Sequence, residues 1–279
     1  MFSTVAIQKL LSLTMTLGLI TAIGISSAPW LVIALGQGHF LTAYWYKYTQ
    51  QPALLQRQVP ILTFLFIGLY AAVYNLKLFD ALECITAILF TLHFLRDEVT
   101  LNGQHHTCMR LLERLPLAIF CSGIFASQIF YFQEQYHVLL ALGSSIVYFS
   151  YAIYINYKPD TTSAYFLTPA AILLLCFLSE VTIPRGLLFS LIVLFHYFNW
   201  YFFYSQKLRP DPQKHICYLR TILVINTVII GLFVLFKTIQ TSEPVLSLFF
   251  TPANFWIWTL LHLASSTRWL SATPTSVTT

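Results

Sequence analysis

The chain has 279 residues, of which 57% are apolar, 16% aromatic and 9% charged, with a formal net charge of +5 and a mean hydropathy of +0.71. A soluble domain carries about 25% charged residues, and ten acids with fifteen bases cannot coat a water-facing globule of this size. The composition excludes a secreted soluble domain, a nucleic-acid binder and a disordered chain. It predicts an all-α, polytopic transmembrane helix bundle, in which the placement of the bases matters more than their sum.

A spanning helix needs about 20 mostly apolar residues, and ten stretches qualify. In chain order they fall near 8–27, 30–48, 59–78, 80–99, 115–133, 137–156, 164–181, 184–205, 217–237 and 247–265. The connections carry the breakers Pro29, Pro52, Pro60, Pro116, Pro159, Pro184, Pro210, Pro212 and Pro244. Pro252 lies within the first turns of the last span, where proline is tolerated. The first span resembles a signal peptide, with Lys9 ahead of an apolar run from Leu10 to Ile25. Its long core, and Pro29 directly after Ala28, favour a retained helix. The turn between the first two spans is very short, so nine helices is the competing count.

With the N-terminus cytoplasmic, the inside segments hold Lys9, Lys47, Arg57, Arg96, Arg110, Arg114, Lys158, Lys207, Arg209, Lys214, Arg220 and Arg268. The outside segments hold only Lys77, Arg185 and Lys237, so the bases divide twelve to three while the acids divide five and five. That is the asymmetry the positive-inside rule produces, and an odd helix count scrambles it. The expectation is ten helices with both termini cytoplasmic, in a plasma (inner) membrane. Residues 1–270 form one integral membrane domain, and 271–279 a Ser/Thr-rich disordered tail. Five scattered cysteines, without a CxxC, carry neither a disulfide framework nor a thiolate site. Aromatic clusters such as Trp200, Tyr201 and Tyr204 read as belts at the membrane interface.

The chemistry rests on histidine. His105, His106, His137 and His215 sit in or beside loops, where a solvated role is the default. His39, His93, His196 and His262 lie inside apolar runs, where an ionisable residue is expensive and points to function. All four are on even-numbered spans, each past the midpoint. His39 precedes Lys47 by eight residues, His93 precedes Arg96 by three, His196 precedes Lys207 by eleven and His262 precedes Arg268 by six. At about 1.5 Å per residue they occupy a band about 12 Å deep on the cytoplasmic side.

Neutral imidazole is the commonest metal ligand, and helix bundles build metal sites from inward side chains of facing helices. His93 and Asp97 are four apart and share a helix face, as two ligands or as a ligand and its orienter. The candidate ligands are therefore His39, His93, Asp97, His196 and His262. Asn199, three beyond His196, reads as a catalytic group that positions bound oxygen or substrate. Ser265 and Ser266 follow His262 on the same helix, and Gly36 and Gly38 before His39 allow a close helix approach. Several histidines with one carboxylate suit non-haem iron, zinc or copper, iron foremost. A b-type haem held by two of the histidines is the alternative. The bland alternative is interhelical hydrogen bonding.

The stretch Thr91-Leu92-His93-Phe94-Leu95-Arg96-Asp97 resembles the His-Phe-x-x-Asp element of the Brp/Blh carotene-cleaving membrane dioxygenases. The resemblance implies a multi-pass fold and iron held by intramembrane histidines, and carries over by position only to His93 and Asp97. That family's Pro-His-Gly-x-x-x-Asp element is absent, since the first intramembrane histidine reads Gly36-Gln37-Gly38-His39-Phe40. A membrane desaturase is rejected, because Asn102-Gly103-Gln104-His105-His106 lacks the first histidine of a His-x-x-His-His box. No Walker loop, Gly-x-Ser-x-Gly or His-Glu-x-x-His occurs.

The expected function is a membrane-embedded, metal-dependent oxidoreductase using iron and oxygen on a lipid or isoprenoid. Its partners are membrane lipids and an apolar small-molecule substrate, with no nucleic acid. The rivals are a transporter, weakened by the lack of a repeat or a broken-helix pair, and a scaffold whose histidines only pack helices.

Overall fold

Proline sets the helix starts. The computed structural model describes residues 4–50, 52–101, 187–239 and 244–266, and the described residues form helices and turns without a strand. Four helices begin on proline: α3 (Pro52–Leu76), α6 (Pro212–Thr238), α7 (Pro244–Phe250) and α8 (Pro252–Ser266). The ring fixes a helical φ, and the missing N–H is one the first turn leaves unpaired anyway. In α6 Asp211 adds a cap, its Oδ1 accepting from the Lys214 amide at 3.1 Å.

The remaining helices are α1 (Thr4–Ile23), α2 (Ala28–Gln50), α4 (Phe79–Leu101) and α5 (Leu187–Leu208). Gly24, at φ +87°, ends α1 in a left-handed conformation that glycine adopts without strain. A short 3-10 turn, Ile25–Ser27, leads into α2, so the first two expected spans are separate helices. Between α3 and α4, Lys77 is left-handed at φ 56°, and Leu78 donates back to the Val73 carbonyl at 3.1 Å, closing α3 with a Schellman bond.

Pro52, Pro212 and Pro244, expected in connections, thus open helices instead, and two further prolines depart from expectation. Pro60 lies inside α3 rather than in a connection. Its ring removes one bond, to the carbonyl of Gln56, at an end where Gln56 and Arg57 are exposed and water can replace it. Pro252 does the opposite, because the last expected span breaks there, α7 and α8 meeting at 59°. Pro252 cannot donate to Leu248, four residues back, and its ring crowds that carbonyl. The freed Leu248 carbonyl is taken up locally, accepting from Trp258 Nε1 at 3.0 Å; the Ser247 carbonyl, still bonded by the Thr251 amide at 3.3 Å, also accepts from Asn254 Nδ2 at 2.9 Å. The Phe249 carbonyl accepts from Gln37 Nε2 of α2 at 2.8 Å.

Among the described residues, two helical segments can cross a membrane by length and composition, 56–76 and α6, and a third if the bent α7–α8 pair is one span. Those residues support neither the expected ten spans nor a side for either terminus. These helices turn apolar faces outward: Phe64 is 77% exposed on α3 and Leu223 68% exposed on α6. Such surface is costly against water and costs nothing against acyl chains, which is compatible with a membrane protein. The expected spans near 115–133, 137–156 and 164–181 lie outside the described residues, as do the tail 271–279 and His105, His106 and His137.

The chain divides into two compact units, Met1–Val32 with Phe90–Leu219, and Ile33–Leu89 with Arg220–Thr279. In the first, α1 packs along α5 through a polar seam. Gln8, Ser12 and Thr16, one helical turn apart, are buried with Lys9 beside them. In the second, α3 packs on α8 around Leu62, Val73, Leu82, Ile257 and Leu261.

The carbonyl accounting at the α7–α8 break gives an expected outcome. Gln37→Leu, close in size but unable to donate, leaves the Phe249 carbonyl unpaired and lowers stability by about 1–3 kcal/mol. Thermal unfolding in detergent measures it; an unchanged midpoint would mean that Gln37 does not hold the break.

Candidate metal centre

Each of two helices supplies a pair of side chains four residues apart, and therefore on one face. From α4 come His93 and Asp97; from α5 come His196 and Trp200. Asp97 and His196 are buried, 5% and 2% exposed, and His93 is partly so. The four meet at one atom, Asp97 Oδ2. His93 Nε2 stands 3.0 Å from it, His196 Nε2 3.7 Å, and Trp200 Nε1 donates to it at 2.5 Å. The imidazole rings cross at 69° with centroids 5.4 Å apart. Phe90 sets its edge against His196 at 5.4 Å, and Phe94, at 6.0 Å, is fully buried.

His93, Asp97 and His196 can hold a metal ion: one ligand atom from each lies within 4.8 Å of the others. Metal–ligand bonds of about 2.1 Å place neighbouring donor atoms about 3.0–3.4 Å apart. The two nitrogen–oxygen distances at Oδ2, 3.0 and 3.7 Å, bracket that spacing. Two imidazoles and one carboxylate form the donor set of non-haem iron sites that keep open positions.

The other two candidates belong to the second unit. His39 of α2 and His262 of α8 are both 7% exposed, with crossed rings 5.2 Å apart. Phe40 stacks on His262 at 4.6 Å and 25°. Ser265 and Ser266 both donate to the backbone carbonyl of His262 at 2.8 Å, so these serines serve the helix end. Gly38 gives the close approach expected of it, since a Cβ there would fall against the Asn226 side chain of α6.

A b-type haem with two axial histidines needs the rings on opposite faces of a flat macrocycle. In His93 and His196 both Nε2 atoms converge on one oxygen, and in His39 and His262 crossed rings and a stacked phenylalanine fill that space. Neither pair fits.

Asn199 turns toward α1. Its Oδ1 is 3.0 Å from Ser12 Oγ, and its backbone carbonyl accepts from Gln8 Nε2 at 3.0 Å. Two features escaped the sequence reading. Trp200, expected in a belt at the membrane interface, donates to Asp97; the spacing His196-x-x-x-Trp200, repeating His93-x-x-x-Asp97, is the signal in the sequence. The seam on α1 was marked by Gln8, Ser12 and Thr16 at helical spacing.

No protein-family model matches the chain, and neither a curated protein nor a solved structure is significantly similar to it.

Trp200→Phe keeps a ring against Tyr204, which stacks on Trp200 at 5.4 Å, and removes only the donor to Asp97. Metal affinity should fall by about 10–100-fold, as for loss of a group that orients a ligand. Competition against a chelator of known affinity reads this directly, and equal affinities would show that the indole does not hold the carboxylate in place.

Proposed function

We propose that this chain is an integral membrane oxidoreductase whose His93, Asp97 and His196 hold a transition metal, iron foremost, and that it acts on an apolar lipid or isoprenoid. The observation that carries the reading is the convergence of two imidazole nitrogens and one buried carboxylate oxygen. A carboxylate at 5% exposure among apolar side chains is strongly disfavoured unless a cation or good donors face it. The pairing of this oxygen with two imidazole nitrogens is the arrangement a divalent ion completes. The resemblance of Thr91–Asp97 to the carotene-cleaving membrane dioxygenases points the same way.

Iron in such a site supplies one-electron chemistry and activation of oxygen. The protein's own groups do the rest. Asp97 places negative charge against the ion, and Trp200 fixes which carboxylate oxygen faces the histidines. Phe90 and Phe94, buried to 4% and 1% exposure, keep water from the imidazoles and give an apolar molecule a matching wall. An apolar substrate stays dissolved in the bilayer, so a site on membrane helices meets it without extraction into water. In this reading the ten-span arrangement, with both termini cytoplasmic, places the site nearer the cytoplasmic face.

Element analysis by mass spectrometry on protein purified in detergent tests the reading. Wild type should carry about one iron per chain, and His93→Ala and His196→Ala should each lose it while remaining folded. Asp97→Asn should lose metal as fully as His93→Ala if the carboxylate is a ligand, and only about 10–100-fold in affinity if it orients His93. His215→Ala, in the α5–α6 hairpin, should change nothing. Metal-free wild type after growth and reconstitution with iron, zinc and copper would end the proposal.

A further inference from the structure

The seam between α1 and α5 leaves one buried polar atom unexplained. Asn199 is 1% exposed. One end of its amide meets Ser12 Oγ at 3.0 Å, and the other end has no hydrogen-bond partner among the described residues. Ser12 Oγ also lies 2.9 Å from the Gln8 carbonyl. A serine hydroxyl carries one proton and cannot donate to both a carbonyl and an amide oxygen. The backbone carbonyl four residues back is the usual acceptor for a helical serine. The assignment that satisfies every contact therefore has Ser12 donating to Gln8, and the Asn199 NH2 donating to Ser12 Oγ. The amide oxygen of Asn199 then points into the unpartnered position.

That oxygen accepts and does not donate. It lies on α5, one turn from His196 and next to Trp200, on the seam where Gln8, Lys9, Ser12 and Thr16 are buried. Among bilayer-soluble molecules, a hydroxyl-ended chain satisfies it, while an ether, an ester or a bare hydrocarbon has no proton to give. We infer that Asn199 is the recognition group for a hydroxyl on the apolar substrate, and that the substrate class is a long-chain or isoprenoid alcohol rather than a hydrocarbon. Ser12 and Gln8 are positioning residues: the first fixes the amide orientation, and the second holds the backbone of α5 through the Asn199 carbonyl at 3.0 Å. The inference rests on the proposed reading for the fate of the bound molecule and is independent of it for binding.

The experiment uses full-length protein in nanodiscs and a diazirine-bearing dodecanol as photoprobe. Peptides from α1 and α5 should be labelled. Competition by 1-dodecanol should exceed that by methyl undecyl ether and by tridecane by about tenfold, the worth of one buried hydrogen bond. Asn199→Leu should abolish that preference, with metal content measured on the same samples. Metal bound without alcohol preference overturns the inference and spares the metal reading; alcohol preference without metal does the reverse. If Asn199→Leu does not fold, Ser12→Ala serves, and it should reduce the preference by releasing the amide. Equal competition by the ether, labelling that ignores both substitutions, or no specific labelling in wild type would each overturn it. The last result would leave a trapped water as the partner of Asn199.

Discussion

A single carboxylate oxygen organises the first unit. Asp97 Oδ2 faces two imidazoles and an indole N–H, and a charge so placed tolerates no loss of its partners, because burial without them costs several kcal/mol. Two helix faces must therefore stay in register. On α4 the requirement is met by the spacing of His93 and Asp97, and on α5 by His196 and Trp200. Turning either helix by one residue, about 100°, would carry a partner away from the oxygen. The rotation of α5 is in turn fixed from its other side, where Gln8 and Ser12 of α1 hold both the backbone and the amide of Asn199. Asn199 is thus the link by which α1, with no ligand of its own, bears on the geometry of the candidate centre.

What the sequence disclosed follows from which interactions are local. The His93–Asp97 pair was legible because a helix brings residues four apart together wherever the helix lies. Pro52, Pro212 and Pro244 were legible only as breakers between spans expected to begin near 59, 217 and 247; the structure starts a helix on each of them, because proline is also suited to the first helical position. His196 could be named as a candidate, but its meeting with Asp97 depends on packing between segments about a hundred residues apart. Trp200 was hidden by company: in a run of aromatic residues near a helix end, anchoring at an interface is the commoner role for an indole. The α1 seam was hidden by hydropathy, since three polar residues among leucines scarcely lower the mean. His39 and His262 were grouped with the others by depth along the chain. The structure pairs them with each other, against Phe40, in a unit of their own.

The broken α7–α8 pair bears on the transporter alternative, which lacked such a feature in the sequence. Transporters use a break to present bare carbonyls and helix ends to an ion or substrate. Here the accounting runs the other way. Leu248 and Phe249, the carbonyls that Pro252 and the bend set free, have Trp258 and Gln37 as donors, and Ser247 accepts from both the amide and the hydroxyl of Thr251 as well as from Asn254. Carbonyls already committed to side chains have little left for an ion, so the break reads as a fixed corner.

The same accounting changes what the basic residues mean. Lysine marks the cytoplasmic side of a membrane only when its charge reaches water or lipid headgroups. Lys9 is 1% exposed, inside the first unit, and reports on packing instead. Lys47 donates to the terminal carbonyl of Ser265 at 2.8 Å and to Gln58 Oε1 at 3.3 Å. It thereby closes the C-terminus of α8, where the helix dipole favours a cation. Setting these two aside leaves ten of the twelve bases assigned to the inside against the same three outside. The bias survives, but it now rests on exposed bases such as Arg57, Lys207, Arg209, Lys214 and Arg220, and four of those flank one hairpin between α5 and α6. Four of the ten bases at one hairpin bear directly on the orientation of that hairpin, and on the distant helices only through the count of spans between them.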